Sequence, residues 1–500
     1  MADRPDQNQY ATPDFRPAAP TPHPRPLRML ALLAALRRNP LECWTERHFE
    51  EPVVDHRLPF GRALLVSEPG AIRRLLLDNA GAYRKDRLQR AVLSAGMGEG
   101  LLAAEGESWR VQRRIAAPVF ALRSVRAFAP AMAAAVKARL DRWGDGPTDI
   151  DVEMRRLTLE VLERTVFEGG FGRGAEDIRL AMARYFPAIG RFGVLDLLGA
   201  PAFIPRPGHL AARPARRLLE GAIDDLIAAR RDAVARGEGA ADDILGRLLA
   251  AADAESGERL TVGEVRSSIL TLFAAGHETT ANALTWSMYL LSRSPLWLQR
   301  VRREAGAAAG RSPSEMVEVL PRTRAVIEEA LRLYPPIAAI SRVAASADAL
   351  AGMAVRRGDL IVVSPWVLHR HRRLWRSPEA FDPSRFLGEA REGLDRFAWM
   401  PFGAGPRTCI GAEFALQEAS LALAEIVRRF EFELAPGQDV RPLLEVTLKP
   451  ANGMRMIVMA RRPALSPPDL RPWIPAGRYR PAAAPAMATR SARASNARQN

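Results

Sequence analysis

The chain has 500 residues, 48% of them hydrophobic, and a formal net charge of +15. That length can bury a large core in one large domain or two to three ordinary ones, and the two cysteines, Cys43 and Cys409, exclude a disulfide framework and fit the reducing cytoplasm. The positive charge is dispersed rather than gathered into a basic run with interleaved aromatics, which argues against nucleic acid as a partner.

Residues 1–26 hold seven prolines and few large apolar side chains, the composition of a disordered leader. The best early apolar run, Met29 to Leu36, is followed by Arg37 and Arg38. It falls far short of the roughly 20 residues a membrane span needs, so no membrane anchor is expected. Pro52 to Ser67 reads as a short hairpin, and Ile72 to Leu77 has helical spacing. Trp109 and Arg113 stand four apart, on one face of a helix. From Pro130 to Ala251 the pattern is mostly helical, with breaks at Gly144–Pro147 and at Pro201–Pro207, the second expected to mark a lid.

Thr261-Val262-Gly263-Glu264 has the form of a capping box, and no proline interrupts Val265 to Leu291. About 30 residues at about 1.5 Å each give a helix of about 45 Å, enough to cross a domain. Its centre reads Ala274-Ala275-Gly276-His277-Glu278-Thr279-Thr280. Gly276 costs about 1 kcal/mol relative to alanine in a helix interior, which demands a packing or functional reason. A zinc-peptidase pattern on His277-Glu278 would need a second histidine at 281, where Ala281 stands.

Further on, Glu329 and Arg332 share a helical face ahead of Pro335-Pro336, and Pro383-Ser384-Arg385-Phe386 follows. Hairpins are expected over Met353 to Val363, turning at Arg357-Gly358, and over Leu443 to Ala460, turning at Ala451-Asn452-Gly453. His369 and His371 read as structural or exposed side chains. Residues 463–500, rich in Ala, Pro, Arg and Ser, read as a disordered basic tail.

The densest signal is Phe402-Gly403-Ala404-Gly405-Pro406-Arg407-Thr408-Cys409-Ile410-Gly411, a turn-rich loop running into a helix-like segment from Glu413 to Arg428. Its glycines and proline let the backbone fold tightly against a flat object. Cys409 lies just before a helix start with Arg407 two residues away, both of which favour a thiolate. A dinucleotide-binding GxGxxG would need glycine at 408, where Thr408 stands.

This loop resembles, position for position, the haem-binding loop of the cytochrome P450 family. The resemblance covers roughly residues 27–462 and implies one mainly α fold with a small β-sheet region. It implies haem b as cofactor, with Cys409 as the ligand of its iron and Phe402, Gly403, Arg407 and Gly411 in the binding loop. Trp109, Arg113 and Arg342 would face the haem propionates. Glu278 and Thr279 would stand beside bound dioxygen, where carboxyl and hydroxyl relay protons. Glu329, Arg332 and Arg385 would form a structural triad beneath the cysteine loop. Ala274, Ala275, Ile337, Ala338 and Ala339 would line an apolar substrate pocket.

The implied reaction is monooxygenation, in which one atom of O2 enters an apolar organic substrate and the other leaves as water. No flavin or nicotinamide domain follows, so electrons are expected from a separate ferredoxin or flavodoxin with its NAD(P)H-dependent reductase, received on a basic face. Two other readings stay open. One is a peroxide-driven peroxygenase, against which the intact Glu278-Thr279 pair weighs, and the other is a non-catalytic haem protein that binds a ligand.

Overall fold

The computed structural model describes residues 15–58, 61–86, 100–168, 170, 177–178, 180–182, 184–185, 207–238 and 242–461. The helices that position the site are α1 (Met29–Arg38), α2 (Gly106–Ala116), α3 (Ala129–Leu140), α4 (Ile150–Val166), α5 (Pro207–Ala235), α6 (Val262–Ser292), α7 (Pro295–Ala308), α8 (Pro321–Leu333) and α9 (Ala412–Arg429). α6 is the axis, packed by α4, α8 and α9. It begins on the expected capping box, in which Thr261 Oγ1 accepts from Glu264 N–H at 3.3 Å and Glu264 accepts from Thr261 N–H at 2.8 Å.

Burial changes along α6. Every residue from Thr280 to Leu291 is buried, so this half is enclosed on all sides. Between Thr271 and Thr279, only Phe273 is buried, and Ala275 is exposed. Gly276 sits at this change, where an added Cβ would lie 3.1 Å from Leu162 Cδ1 of α4. The missing side chain is what lets the two helices approach.

The main sheet has the order β1-β2-β8-β5-β3, built from β1 (Val53–Leu58), β2 (Gly61–Val66), β3 (Tyr83–Arg84), β5 (Ile340–Ala344) and β8 (Leu360–Val363). β2 and β8 are parallel and the other pairs antiparallel. A second sheet joins β4 (Gly146–Asp149), β12 (Arg455–Ala460) and β9 (Phe430–Leu434). Two small hairpins are β6 (Asp348–Leu350) with β7 (Met353–Val355), and β10 (Pro442–Leu444) with β11 (Leu448–Pro450).

Both expected late hairpins form differently. Met353–Val355 pairs backwards with β6 across Ala351 and Gly352, both at positive φ, while β8 joins the main sheet. Two consecutive positive-φ residues give the twist a two-residue hairpin needs, and Ala351-Gly352 supplies it in place of Arg357-Gly358. Likewise β11 pairs with β10, whereas β12 pairs with β9 and β4, so Ala451–Gly453 carries the chain from one sheet to another.

The leader also ends earlier than its composition suggests. Phe381 N–H donates to Phe15 O at 3.2 Å, Tyr334 Oη donates to Ala18 O at 2.8 Å, and His23 is bridged to Thr45. Proline-rich backbone offers few N–H groups but keeps its carbonyls, and donors on the folded body satisfy them. Residues 1–14, 201–206 of the expected lid and the 463–500 tail lie outside the described residues.

Tyr334 is fully buried and stacks on Trp286 with centroids 3.8 Å apart. Replacing it with phenylalanine keeps the stack and removes the donor to Ala18. Tyr334→Phe is expected to lower the unfolding free energy by about 1 kcal/mol in denaturant titration and to speed proteolysis within residues 15–23. Unchanged stability and cleavage would show that this contact does not hold the segment down.

Candidate active site

The cysteine loop is held by its own backbone. Cys409 N–H donates to Phe402 O at 2.8 Å, Gly403 N–H to Met400 O at 3.0 Å, and Thr408 N–H to Gly405 O at 3.0 Å. Gly405 has φ +71°, and an added Cβ would lie 1.8 Å from Leu76 O, a distance no side chain can occupy. Gly411 caps α9 at φ −90°, a conformation open to any residue, and a Cβ there would meet nothing within 4 Å. Space is therefore open next to the cysteine at this position.

The Cys409 side chain is exposed, while protein packed around it raises its pKa by desolvation. Gly411 N–H and the charge of Arg113 pull in the opposite direction without cancelling that rise. The expectation that Arg407 favours the thiolate is corrected, because its guanidinium lies 3.8 Å over the Trp109 ring and donates to Ala104 O at 2.9 Å. A metal ion, rather than the protein charge, is what would deprotonate this sulphur. Cys43 is pushed up to about 12 by burial with no cation to offset it, the state of an inert thiol.

Arg113, Arg342 and Arg407 form a cationic cluster. Burial lowers Arg407 to about 10 against the attraction of Glu105, with smaller contributions from the charges of Arg342 and Arg113. Burial lowers Arg342 as well, against the pull of Glu105 and Asp86. Among the described residues none of the three makes an ion pair. Half-buried guanidiniums left unpaired are costly unless an anion joins them. An exposed sulphur, adjacent open space and a cluster short of carboxylates together fit haem, whose iron takes a thiolate and whose edge carries two acids.

Beneath the loop, Glu329 and Arg332 are joined at 2.6 Å with both side chains 0% exposed. Arg332 also donates to the carbonyls of His369, Pro378 and Ala380 at 2.8, 2.6 and 2.9 Å. Arg385 is the looser partner, 3.6 Å from Glu329 and donating to Ser377 O at 3.0 Å. His369 links this pair to the loop, since its Nε2 accepts from Met400 N–H at 2.9 Å, two residues before Phe402. That acceptor role leaves the proton on Nδ1, facing Arg332 O at 3.3 Å.

On α6, Thr279 Oγ1 donates to Ala275 O at 2.6 Å. Glu278 is ion-paired to Arg155 of α4 at 2.9 Å, and Arg155 also binds Asp151 at 3.2 Å and Asn282 Oδ1 at 3.3 Å. Asn282 Nδ2 in turn donates to Thr447 Oγ1 at 3.1 Å, between β10 and β11. Burial alone would raise Glu278, but the Arg155 charge and hydrogen bond, with His277 and Thr447, outweigh it and hold the carboxylate below its ordinary pKa. Sequence reasoning missed Arg155, Asn282 and Thr447. The four-residue step from Glu278 to Asn282 was a usable signal, whereas Arg155 lies 123 positions away with no motif.

Of the expected pocket residues, Ile337 and Ala339 are exposed, Ala275 is exposed and Ala274 half-buried. Ala338 is corrected: it is 3% exposed and belongs to the core, its carbonyl accepting from Ser364 Oγ at 2.7 Å.

Burial, then the charges of Arg332 and Arg370, depress His369 to about 3. An unfolded histidine titrates near 6.5, so between those values only the unfolded chain takes the proton and stability falls as pH drops. His369→Gln is expected to flatten that slope in unfolding measured from pH 7 to 4. Arg332→Ala should cost about 3–5 kcal/mol and abolish haem incorporation. Full haem content in that variant would end the structural assignment of the pair.

The sequence profile of the family Cytochrome P450 matches residues 17–458. Cyclooctat-9-en-7-ol 5-monooxygenase of Streptomyces melanosporofaciens is 34% identical over 85% of this chain and 92% of its own length. Pentalenene oxygenase of Streptomyces avermitilis is 32% identical over 86% of this chain and 94% of its own. The crystal structure of the cytochrome P450DA heme domain superposes with a TM-score of 0.75 at 25% identity, covering 89% of this chain and 98% of that one. With the cysteine loop, its buried support and the guanidinium cluster in place, these matches show that the chain belongs to the cytochrome P450 family and is a haem-dependent monooxygenase.

Proposed function

We propose that the enzyme hydroxylates an apolar, hydrocarbon-like substrate with electrons from a separate ferredoxin or flavodoxin and its NAD(P)H-dependent reductase. The observation that carries the site assignment is the exposed Cys409 sulphur beside three guanidiniums that lack carboxylate partners. The apolar side chains of Ala274, Ala275, Ile337 and Ala339 support the substrate class, as do the substrates in the names of the two Streptomyces relatives. The net charge of +15 suits an acidic electron donor.

Haem, when bound, supplies oxygen activation at its iron. In this reading Cys409 holds the iron, and Arg113, Arg342 and Arg407 hold the acidic edge with Trp109 stacked beneath Arg407. Thr279 already donates its hydroxyl proton to Ala275 O, so its oxygen lone pairs are free to accept from a water and hold it in line. Glu278 is ionised at neutral pH and takes up a proton from the solvent side before passing one on. Arg155 sets how readily it does so.

Three measurements test these roles. Cys409→His should abolish the red-shifted Soret band of the reduced carbon monoxide complex, and an unchanged spectrum would sink the ligand assignment. Thr279→Ala should keep haem content, substrate binding and NADPH consumption while product falls and hydrogen peroxide rises. General acid-base contributions are typically about 10²–10⁴-fold, so a bound water replacing the hydroxyl sets the lower end. Arg155→Met removes the charge holding Glu278 low, so the acid limb of the coupling profile should move to higher pH. An acid limb that stays in place would show that Glu278 does not govern proton delivery.

A further inference from the structure

A ten-residue helix is marginal in water unless tertiary packing supports it. α1 has little such packing, since Ala35 is its one buried residue, while Leu30 is 83% exposed, Leu33 50%, Met29 41% and Leu36 36%. Yet α1 is not a loose end. Before it, His23 N–H donates to Trp44 O and Glu46 N–H donates to His23 O, each at 3.0 Å. After it, buried Asn39 donates to Pro442 O at 2.9 Å and accepts from Leu444 N–H at 3.2 Å. The folded body therefore holds an apolar helix out into solvent at a fixed place.

The flanks of this helix are basic. Between Phe15 and Cys43 the chain carries Arg16, Arg25, Arg28, Arg37 and Arg38 against one acid, Glu42. Arg38 is paired with Glu42, whereas Arg25, Arg28 and Arg37 are exposed and make no ion pair among the described residues. We propose that α1 docks the enzyme on an anionic lipid surface, with Met29, Leu30, Leu33 and Leu36 in the acyl boundary and the arginines among the headgroups. Exposed apolar side chains with flanking arginines are the composition of an interfacial helix. A second copy of this chain would bring like charges face to face across a symmetric contact, and an apolar protein groove would leave the arginines without a role. Surface docking does not require a membrane span, and among the described residues no helix is long and apolar enough to be one.

The test is co-sedimentation of the full-length holoenzyme with vesicles of phosphatidylcholine alone or mixed with an equal amount of phosphatidylglycerol. Binding is expected to the mixed vesicles and to weaken about tenfold or more in the Leu30→Asp/Leu33→Asp double variant and in the Arg25→Glu/Arg28→Glu/Arg37→Glu triple variant. Val234→Asp, at an exposed position on α5, should bind like the parent. All variants should keep the parent haem spectrum, which separates failed docking from failed folding. Three results would overturn the proposal: no binding to mixed vesicles, binding unaffected by the α1 variants, or equal binding to both kinds of vesicle. A dimer of the parent that becomes a monomer in the Leu30→Asp/Leu33→Asp variant, with vesicle binding absent, would assign the face to a second copy instead.

Discussion

The fully buried Glu329–Arg332 pair is the interaction on which the site rests. Two charges removed from water are tolerable only when every remaining donor and acceptor is used, and here that demand organises the surrounding chain. Arg332 gathers three carbonyls between His369 and Ala380, and Glu329 accepts from Asp382 N–H at 2.8 Å. One segment is thereby fixed against α8. His369 carries that order on to Met400, and the hydrogen bonds of the cysteine loop begin at the same residue. The backbone that carries Cys409 is thus tied through His369 and Met400 to a pair of charges buried outside the loop.

α6 divides the labour differently. Its second half is enclosed and supplies rigidity, and its first half supplies an open face, with Gly276 at the change. The acid next to Thr279 is tied sideways to α4 rather than left free, which fixes its charge state through Arg155. A carboxylate held this way is a proton acceptor whose strength depends on a residue from another helix.

Much of this was legible in the sequence because the relevant signals are local. The capping box at Thr261 and Glu264, the three-residue step from Glu329 to Arg332 and the glycine at 405 each act within a turn or two of the backbone. What the sequence hid depends on distant partners. Arg155 and Thr447 reach Glu278 only because α4 and the β10–β11 connection pack on α6. The late hairpins were misread because Arg357-Gly358 and Ala451-Asn452-Gly453 are good turns locally, and sheet partners decided which strands met across them. Ala338 was placed in the pocket with its neighbours by the resemblance, whereas packing buries it in the core while Ile337 and Ala339 stay exposed.

In the proposed arrangement the guanidinium cluster would give the haem a second role besides chemistry. Burial lowers the pKa of Arg113, Arg342 and Arg407, the charges of Arg342 and Arg113 lower Arg407 further, and the attraction of Glu105 and Asp86 does not offset these shifts. A dianionic cofactor edge relieves this repulsion, while the unfolded chain spreads the same arginines apart and gains nothing from it. Because haem binds the folded chain alone, its free energy adds to stability by mass action. If these three side chains hold the cofactor as proposed, the residues that bind it are also ones whose burial costs the empty protein stability, and folding and haem capture would be coupled through them.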